Sequence, residues 1–257
     1  MAMYDSTHTG TEIDNVVSSI LNRSRLTDFS LSDLKSAVAA NSLEKYGLKV
    51  GDQKTINGRT YVIAGMNPFY GTNSPKRLTI NHVGLIVVPH MNHAWNSSGQ
   101  TFNGVGGGAG YANSELHSYL VNTVLPLVQS DLGSQNLLSH SKCYTNAVNQ
   151  NGVNRYGTAT GCSSNFAWVT NQYISALSEI QIYGSIVFSS SGYDTGEANR
   201  QLDVFRIYNF TEIFGNYYFW LRDIASNTYA CMIDSEGDAD WAGAKGNYPI
   251  AGLVLFR

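Results

Sequence analysis

The dipeptide Asn57–Gly58, set in KTINGRTYVIAG, constrains this chain more than any other short feature. It separates two β-prone runs, and Asn-Gly supplies the two positive-φ residues that a tight hairpin turn requires. A compact domain is therefore expected to begin near residue 46. The residues before it follow a different period. Thr9 and Glu12 have capping-box spacing, and Ile13, Val16, Val17, Ile20 and Leu21 fall on one helical face. So short a helix is marginal alone, so its apolar stripe must pack on the body or on copies of itself. Its β-branched content suits a parallel bundle such as a trimer, with packing on its own domain as the equal alternative. A second helix is predicted from Ser30 through Leu31, Leu34 and Val38 to the region of residues 41–47.

Downstream, RLTINHVGLIVVP (77–89) reads as a buried strand. NSELHSYLVNTVLP reads as a helix capped by Asn113 or Ser114, with Pro126 near its end. Residues 129–170 are rich in Asn, Ser, Gly and Thr and too long for a plain connection, which marks a functional insertion. A helix around 173–183 and strands near 185–189, 217–222, 229–233 and 250–256 complete an α+β domain, with segments 1–45 and 46–257 as the two units.

Charged residues make up 14% of the 257, below the roughly 25% usual for soluble proteins, while Tyr, Gly, Ser and Asn are abundant. That mixture is favoured by binding loops, because Tyr offers large contact area at low entropy cost. A net charge of −3 without a Lys/Arg run leaves no footprint for nucleic acid or an acidic membrane. No signal-peptide pattern or membrane-length apolar run is visible, so a soluble product without membrane insertion is expected. Cys143, Cys162 and Cys231 have neither CxxC spacing nor an even count, so they are read as reduced, with Cys143–Cys162 the one pair to check.

The glycine run GVGGGAG (104–110) contains a formal GxGxxA, but QTFN before it is no buried strand, and a loop leading to a helix cap is the better reading. His90 and His93 have one-turn spacing for zinc, yet Pro89 argues for a loop and no third ligand is near. No GxSxG elbow supports a Ser/His/Asp triad. The acidic series Asp234, Glu236, Asp238 and Asp240 would share one face of an extended chain. Calcium ligation, a solvated strand-and-turn face and a recognition surface all fit it; the EF-hand pattern is absent.

YGLKVGD (46–52), NHVGLIVV (81–88), GYANSELHSYL (110–120), LLSHSKCYTNAV (137–148), YISALSEIQIYGS (173–185) and YYFWLRDIASNTYACMID (217–234) together resemble tail-associated proteins of prophages and gut bacteria. The resemblance covers roughly residues 45–257. It implies a C-type lectin-like fold in the variant shared with formylglycine-generating enzymes and phage tropism proteins. It also implies a variable segment after WLRD that, in several relatives, a diversity-generating retroelement rewrites.

On that resemblance Trp220 and Leu221 anchor a core strand, Arg222 and Asp223 form a structural polar pair, and Ala230, Met232 and Ala239 point inward. Asn227, Tyr229, Cys231, Asp234, Glu236, Asp238, Asp240, Trp241, Lys245, Asn247 and Tyr248 would point outward as the ligand-binding face. The expected protein is a non-enzymatic receptor-binding component of a virion tail. Its partners would be a host-cell surface protein or glycan and other tail proteins, and residues 1–45 would serve attachment and self-association.

The chain departs from the family at its end, where PIAGLVLF (249–256) replaces a GVRPA-like strand. It lacks the Glu-Pro-Asn and Trp-Asn-Asp triplets of calcium-dependent sugar binding, and the catalytic cysteine pair of the formylglycine-generating type. No cofactor is implied, with calcium left open. A structural tail component, an adhesin and an enzyme on the same scaffold are the alternatives.

Overall fold

The computed structural model describes residues 25–71, 78–88, 91–145, 148–149, 152–153, 166–189 and 201–257. The helix expected over residues 9–21, His90 and Cys162 lie outside them. The Asn57–Gly58 turn forms with φ of 48° and 78°, joining Gln53–Ile56 (β1) to Arg59–Met66 (β2) with Ile56 opposite Arg59. Chain order then gives β3 (Val83–Val88), β4 (Asn92–Ala94), β5 (Leu137–Leu138), β6 (His140–Thr145), β7 (Val148–Asn149), β8 (Gly152–Val153), β9 (Phe166–Gln172), β10 (Ile174–Ala176), β11 (Phe219–Ile224), β12 (Tyr229–Ile233), β13 (Ala239–Gly243), β14 (Asn247–Pro249) and β15 (Gly252–Phe256). The α-helices are α1 (Leu31–Ala40), α2 (Glu115–Tyr119), α3 (Leu125–Leu132), α4 (Glu179–Tyr183), α5 (Asp203–Ile207) and α6 (Phe210–Phe214). The architecture is α+β with antiparallel sheets.

The main sheet runs β1-β2-β3-β15-β10, and β5 pairs with the far half of β15. Both of its faces are covered, which explains why VGLIVV is uninterrupted rather than alternating. Tyr61, Ile63, Leu85, Val87, Val254 and Phe256 enter one core with helices α1 to α3. Val62, Ala64, Ile86, Leu253 and Leu255 enter a second with helices α4 to α6. Burying each such side chain is worth about 1.5–3 kcal/mol. Leu34, Ala37 and Val38 of α1 belong to the first core, so the described part of the 1–45 segment contributes to the body of the domain. Ser30 caps α1 by accepting from the Asp33 N–H at 3.1 Å.

The hairpin turn is tied to α3. Asp131 accepts from Arg59 Nε and Nη2 at 2.6 and 2.7 Å, from the Tyr61 hydroxyl at 2.5 Å and from Asn57 Nδ2 at 2.9 Å. Burial pushes its carboxyl upward, but these donors prevail and hold it below the usual range.

Several local expectations are corrected. The helix capped by Ser114 does not end near Pro126. A π turn, Leu120–Val124, precedes α3, and Pro126 stands at its start, where its missing N–H is tolerated. Residues 173–183 are not one helix, because Ile174–Ala176 pairs with β15. Only after Ser178, which forms a capping box with Gln181, does α4 begin. No strand forms over residues 185–189. The N–H groups of Val187, Phe188 and Ser189 all converge on one carboxylate, which the alternating directions of a strand forbid. The described part of 129–170 carries the end of α3 and strands β5 to β9, so it is not merely irregular. Among the described residues no helix is long and apolar enough to cross a membrane.

Candidate recognition face

The segment after WLRD folds as a three-stranded antiparallel sheet, β11-β12-β13. β12 is central, and both of its faces are used: Ala230 and Met232 enter the first core, Cys231 and Ile233 the second. Only its first residue, Tyr229, emerges. Tyr229 lies opposite Gly243, and Trp241 opposite Cys231, so the two aromatics are diagonal neighbours across the strands. Their rings meet edge to face, with centroids 4.5 Å apart and planes at 66°. Tyr229 is 40% exposed and Trp241 43%.

Cys231 corrects the expected outward pattern. It is fully buried, because the strand face that frees Tyr229 turns against Phe219, Leu221 and Ile182 two residues later. Burial first, then the charges of Asp223 and Glu179, push its thiol well above the ordinary value.

The acidic series does not lie on one face either. Asp234 closes the β12–β13 turn, its Oδ1 accepting from the Glu236 and Asp238 N–H groups at 2.8 and 2.9 Å, while its own N–H donates to the Asp238 carbonyl at 2.9 Å. Glu236 and Asp238 stand exposed on that turn. Asp240 belongs to β13, opposite Met232. Among the described residues no three His, Cys, Asp or Glu side chains gather as a metal-holding group.

The remaining expected residues divide between the hairpin ends and the core. Asn227, half-buried in the β11–β12 turn, accepts from the Thr101 N–H on its backbone carbonyl at 2.9 Å, which fastens that turn to the loop before the glycine run. Lys245 and Asn247 are exposed. Tyr248 is a further correction. It is half-buried, packing edge-on against Trp220 at 5.1 Å and tilted toward Tyr218 at 5.9 Å, because β14 pairs with β4 and carries it inward. Tyr229, Trp241, Asn227 and Lys245 thus gather along one stretch of the hairpin, with Glu236 and Asp238 at the opposite end.

Beneath the hairpin lies a buried acidic support. Glu179 is fully buried, and its carboxylate accepts from the N–H groups of Val187, Phe188 and Ser189 at 3.0, 2.8 and 2.9 Å. Its own N–H donates to Asp223 Oδ2 at 2.7 Å. Burial, with the Glu179 charge adding to it and Arg222 opposing, raises the Asp223 carboxyl to about 6. Arg222 lies over the Tyr144 ring, 5.4 Å from its centroid, so the expected Arg222–Asp223 pair serves two different partners while sharing an electrostatic contact.

Sequence reasoning missed a cleft of 410 Å³ at the acidic end of the hairpin, lined by Tyr183, Tyr208, Phe210, Glu236 and Asp238 among others. Its far wall comes from α5 and α6, which the periodicity analysis did not find. The exposed Tyr217 and Tyr218 were also missed, although YYF before WLRD is itself an aromatic signal.

The other sites considered in the sequence resolve as structure. A Cβ on Gly104 would strike the Asn113 carbonyl, and one on Gly108 the Asn113 side chain, so this run is glycine-rich because a backbone passes close. His93 stacks on Tyr119 at 4.4 Å, and its Nδ1 sits 2.6 Å from the Ala94 carbonyl. No protein-family model matches this chain, and neither the curated proteins nor the solved structures yield a match.

Proposed function

We propose that this chain is a non-enzymatic receptor-binding protein of a phage or prophage tail, whose C-type lectin-like domain, with α1 packed into its core, presents the β12–β13 hairpin to a host-cell surface protein or glycan. One observation carries the reading: the Tyr229–Trp241 pair stands in solvent on a hairpin whose central strand is packed on both faces. Aromatic side chains held on a rigid scaffold are what binding hot spots are made of.

Among the described residues, four of the seven exposed large aromatic side chains, Tyr217, Tyr218, Tyr229 and Trp241, fall within 25 residues, the others being Tyr46, Tyr70 and Phe188. That concentration favours a contact surface over scattered exposure. Asn227, Asp240, Lys245 and Asn247 supply orientation around the pair, and Cys231 and Tyr248 act as supports. The apolar stripe Ile13, Val16, Val17, Ile20 and Leu21, ahead of the part of 1–45 that packs into the domain, joins it to other tail proteins or to copies of itself, a trimer being the oligomer that stripe suits.

The test is retention of labelled full-length protein on bacterial strains that the intact particles adsorb to, comparing wild type with Trp241→Ala. Loss of retention in the variant, with an unchanged thermal midpoint, is expected. Equal retention by both would overturn the assignment of this face.

A further inference from the structure

The cleft between the β12–β13 turn and helices α4 to α6 carries an inference of its own, resting on the recognition reading above. Its walls combine aromatic rings, Tyr183, Phe205, Tyr208 and Phe210, with the acidic residues Glu236 and Asp238, and among the described residues no Lys, Arg or His is in the lining.

Two of the donor side chains in the lining, Gln201 and Tyr183, are engaged. Gln201 Nε2 donates to the Ile182 and Phe205 carbonyls at 2.6 and 2.9 Å. The Tyr183 hydroxyl donates to the Gly237 carbonyl at 3.2 Å, while Asn209 enters the capping box of α6 through its backbone N–H and the acceptor oxygen of its side chain. The two carboxylates are not engaged. Among the described residues neither the Glu236 nor the Asp238 carboxylate receives a hydrogen bond, because the turn is closed by Asp234 instead. Arg25 lies over the Tyr208 ring, 5.4 Å from its centroid, outside the lining.

A cleft that carries two carboxylates and several π-faces, with no cationic side chain among its described lining residues, selects a cation that brings its own donors. We propose that it receives a protonated alkylamine, as on the lysine side chain of a host-surface protein, with the ammonium between Glu236, Asp238 and the tyrosine rings. The methylene stem lies along Phe205, Phe210 and Thr211, as long cationic side chains do on apolar surface. The turn would thus serve recognition at both ends, by aromatic contact at Tyr229 and Trp241 and by charge at Glu236 and Asp238.

The probe is Nα-acetyl-lysine methylamide, titrated into the full chain while backbone amide shifts are followed. Its Nζ-acetylated counterpart, which has the same stem without the charge, is the control. Saturable shifts at residues 208–211 and 236–238 are expected with the charged probe. They should be at least about tenfold weaker with the neutral one and in Glu236→Gln/Asp238→Asn.

That double variant changes exposed side chains and should keep the wild-type thermal midpoint. Absence of shifts, equal shifts with the neutral probe, or shifts that survive the double substitution would each overturn the proposal. Retention on cells separates the two claims. If Trp241→Ala loses retention while the amine produces no shifts, this inference fails and the recognition reading stands. If the amine binds but wild-type protein is not retained on cells, the reading fails instead.

Discussion

Tyr229 and Trp241, diagonal neighbours on antiparallel strands, meet edge to face with ring centroids 4.5 Å apart. The contact fixes both rings while leaving roughly two-fifths of each side chain in water. Either truncation should weaken partner binding by about 2 kcal/mol, roughly thirtyfold, and shift stability by no more than about 1 kcal/mol. Binding titrations beside thermal melts of Tyr229→Ala and Trp241→Ala check this, and the double variant should lose less than the sum, because the rings support each other.

Cys231 should behave as core. In the folded protein it should resist alkylation by iodoacetamide, read at this residue by mass spectrometry, and become reactive only in denaturant. Cys231→Ala should cost about 1–2 kcal/mol by leaving a void among packed side chains.

Asp131 anchors the first hairpin to α3, and removing it strands the buried Arg59 guanidinium. Asp131→Ala should destabilise by about 3 kcal/mol, measured by urea unfolding. Asn57→Ala should cost less, since it removes one donor and a favourable positive-φ residue.

The two acids give opposite pH behaviour. Asp223 titrates near 6 against an ordinary 3.8. The folded state therefore holds its proton more tightly than the unfolded chain, and its contribution to stability is full below about pH 4 and lost as pH rises through 6. Asp131 is held below 3.8, so its contribution is present above that value and is lost as pH falls through the folded one. Asp223→Asn should remove a slope of roughly 2 kcal/mol between pH 4 and 6 from the unfolding free energy, followed by urea titrations across that range.

Glu179 should govern the loop it holds. Glu179→Gln keeps the volume but weakens the acceptor of three N–H groups, and hydrogen exchange at Val187, Phe188 and Ser189 should rise selectively.

How far the sequence carried this depended on whether the determining contact was local. Asn57–Gly58, the Ser30 cap, the Ser114 cap and the apolar runs of β3, β12 and β15 were legible because turn chemistry and burial write themselves into adjacent residues. The strand at Ile174–Ala176 was not legible, since it exists through the edge of β15, nearly 80 residues later. The loop at 187–189 was missed for a similar reason, its conformation being set by Glu179. Within the site, the outward set implied by the resemblance included Tyr229 and Trp241, which are exposed, but it misplaced Cys231, because a strand covered on both faces has no outward set. It also misplaced the acids, because Asp234 turns the chain before a second strand face can form.

The most direct test of the central claim is to sequence this locus in many sibling isolates. The account predicts variation at Asn227, Tyr229, Glu236, Asp238, Asp240, Trp241, Lys245 and Asn247, with Ala230, Cys231, Met232 and Ile233 fixed. It further predicts a nearby near-repeat of these codons that differs at adenines. Substitutions spread evenly over buried and exposed positions of the hairpin, with no such repeat, would contradict a diversified recognition face.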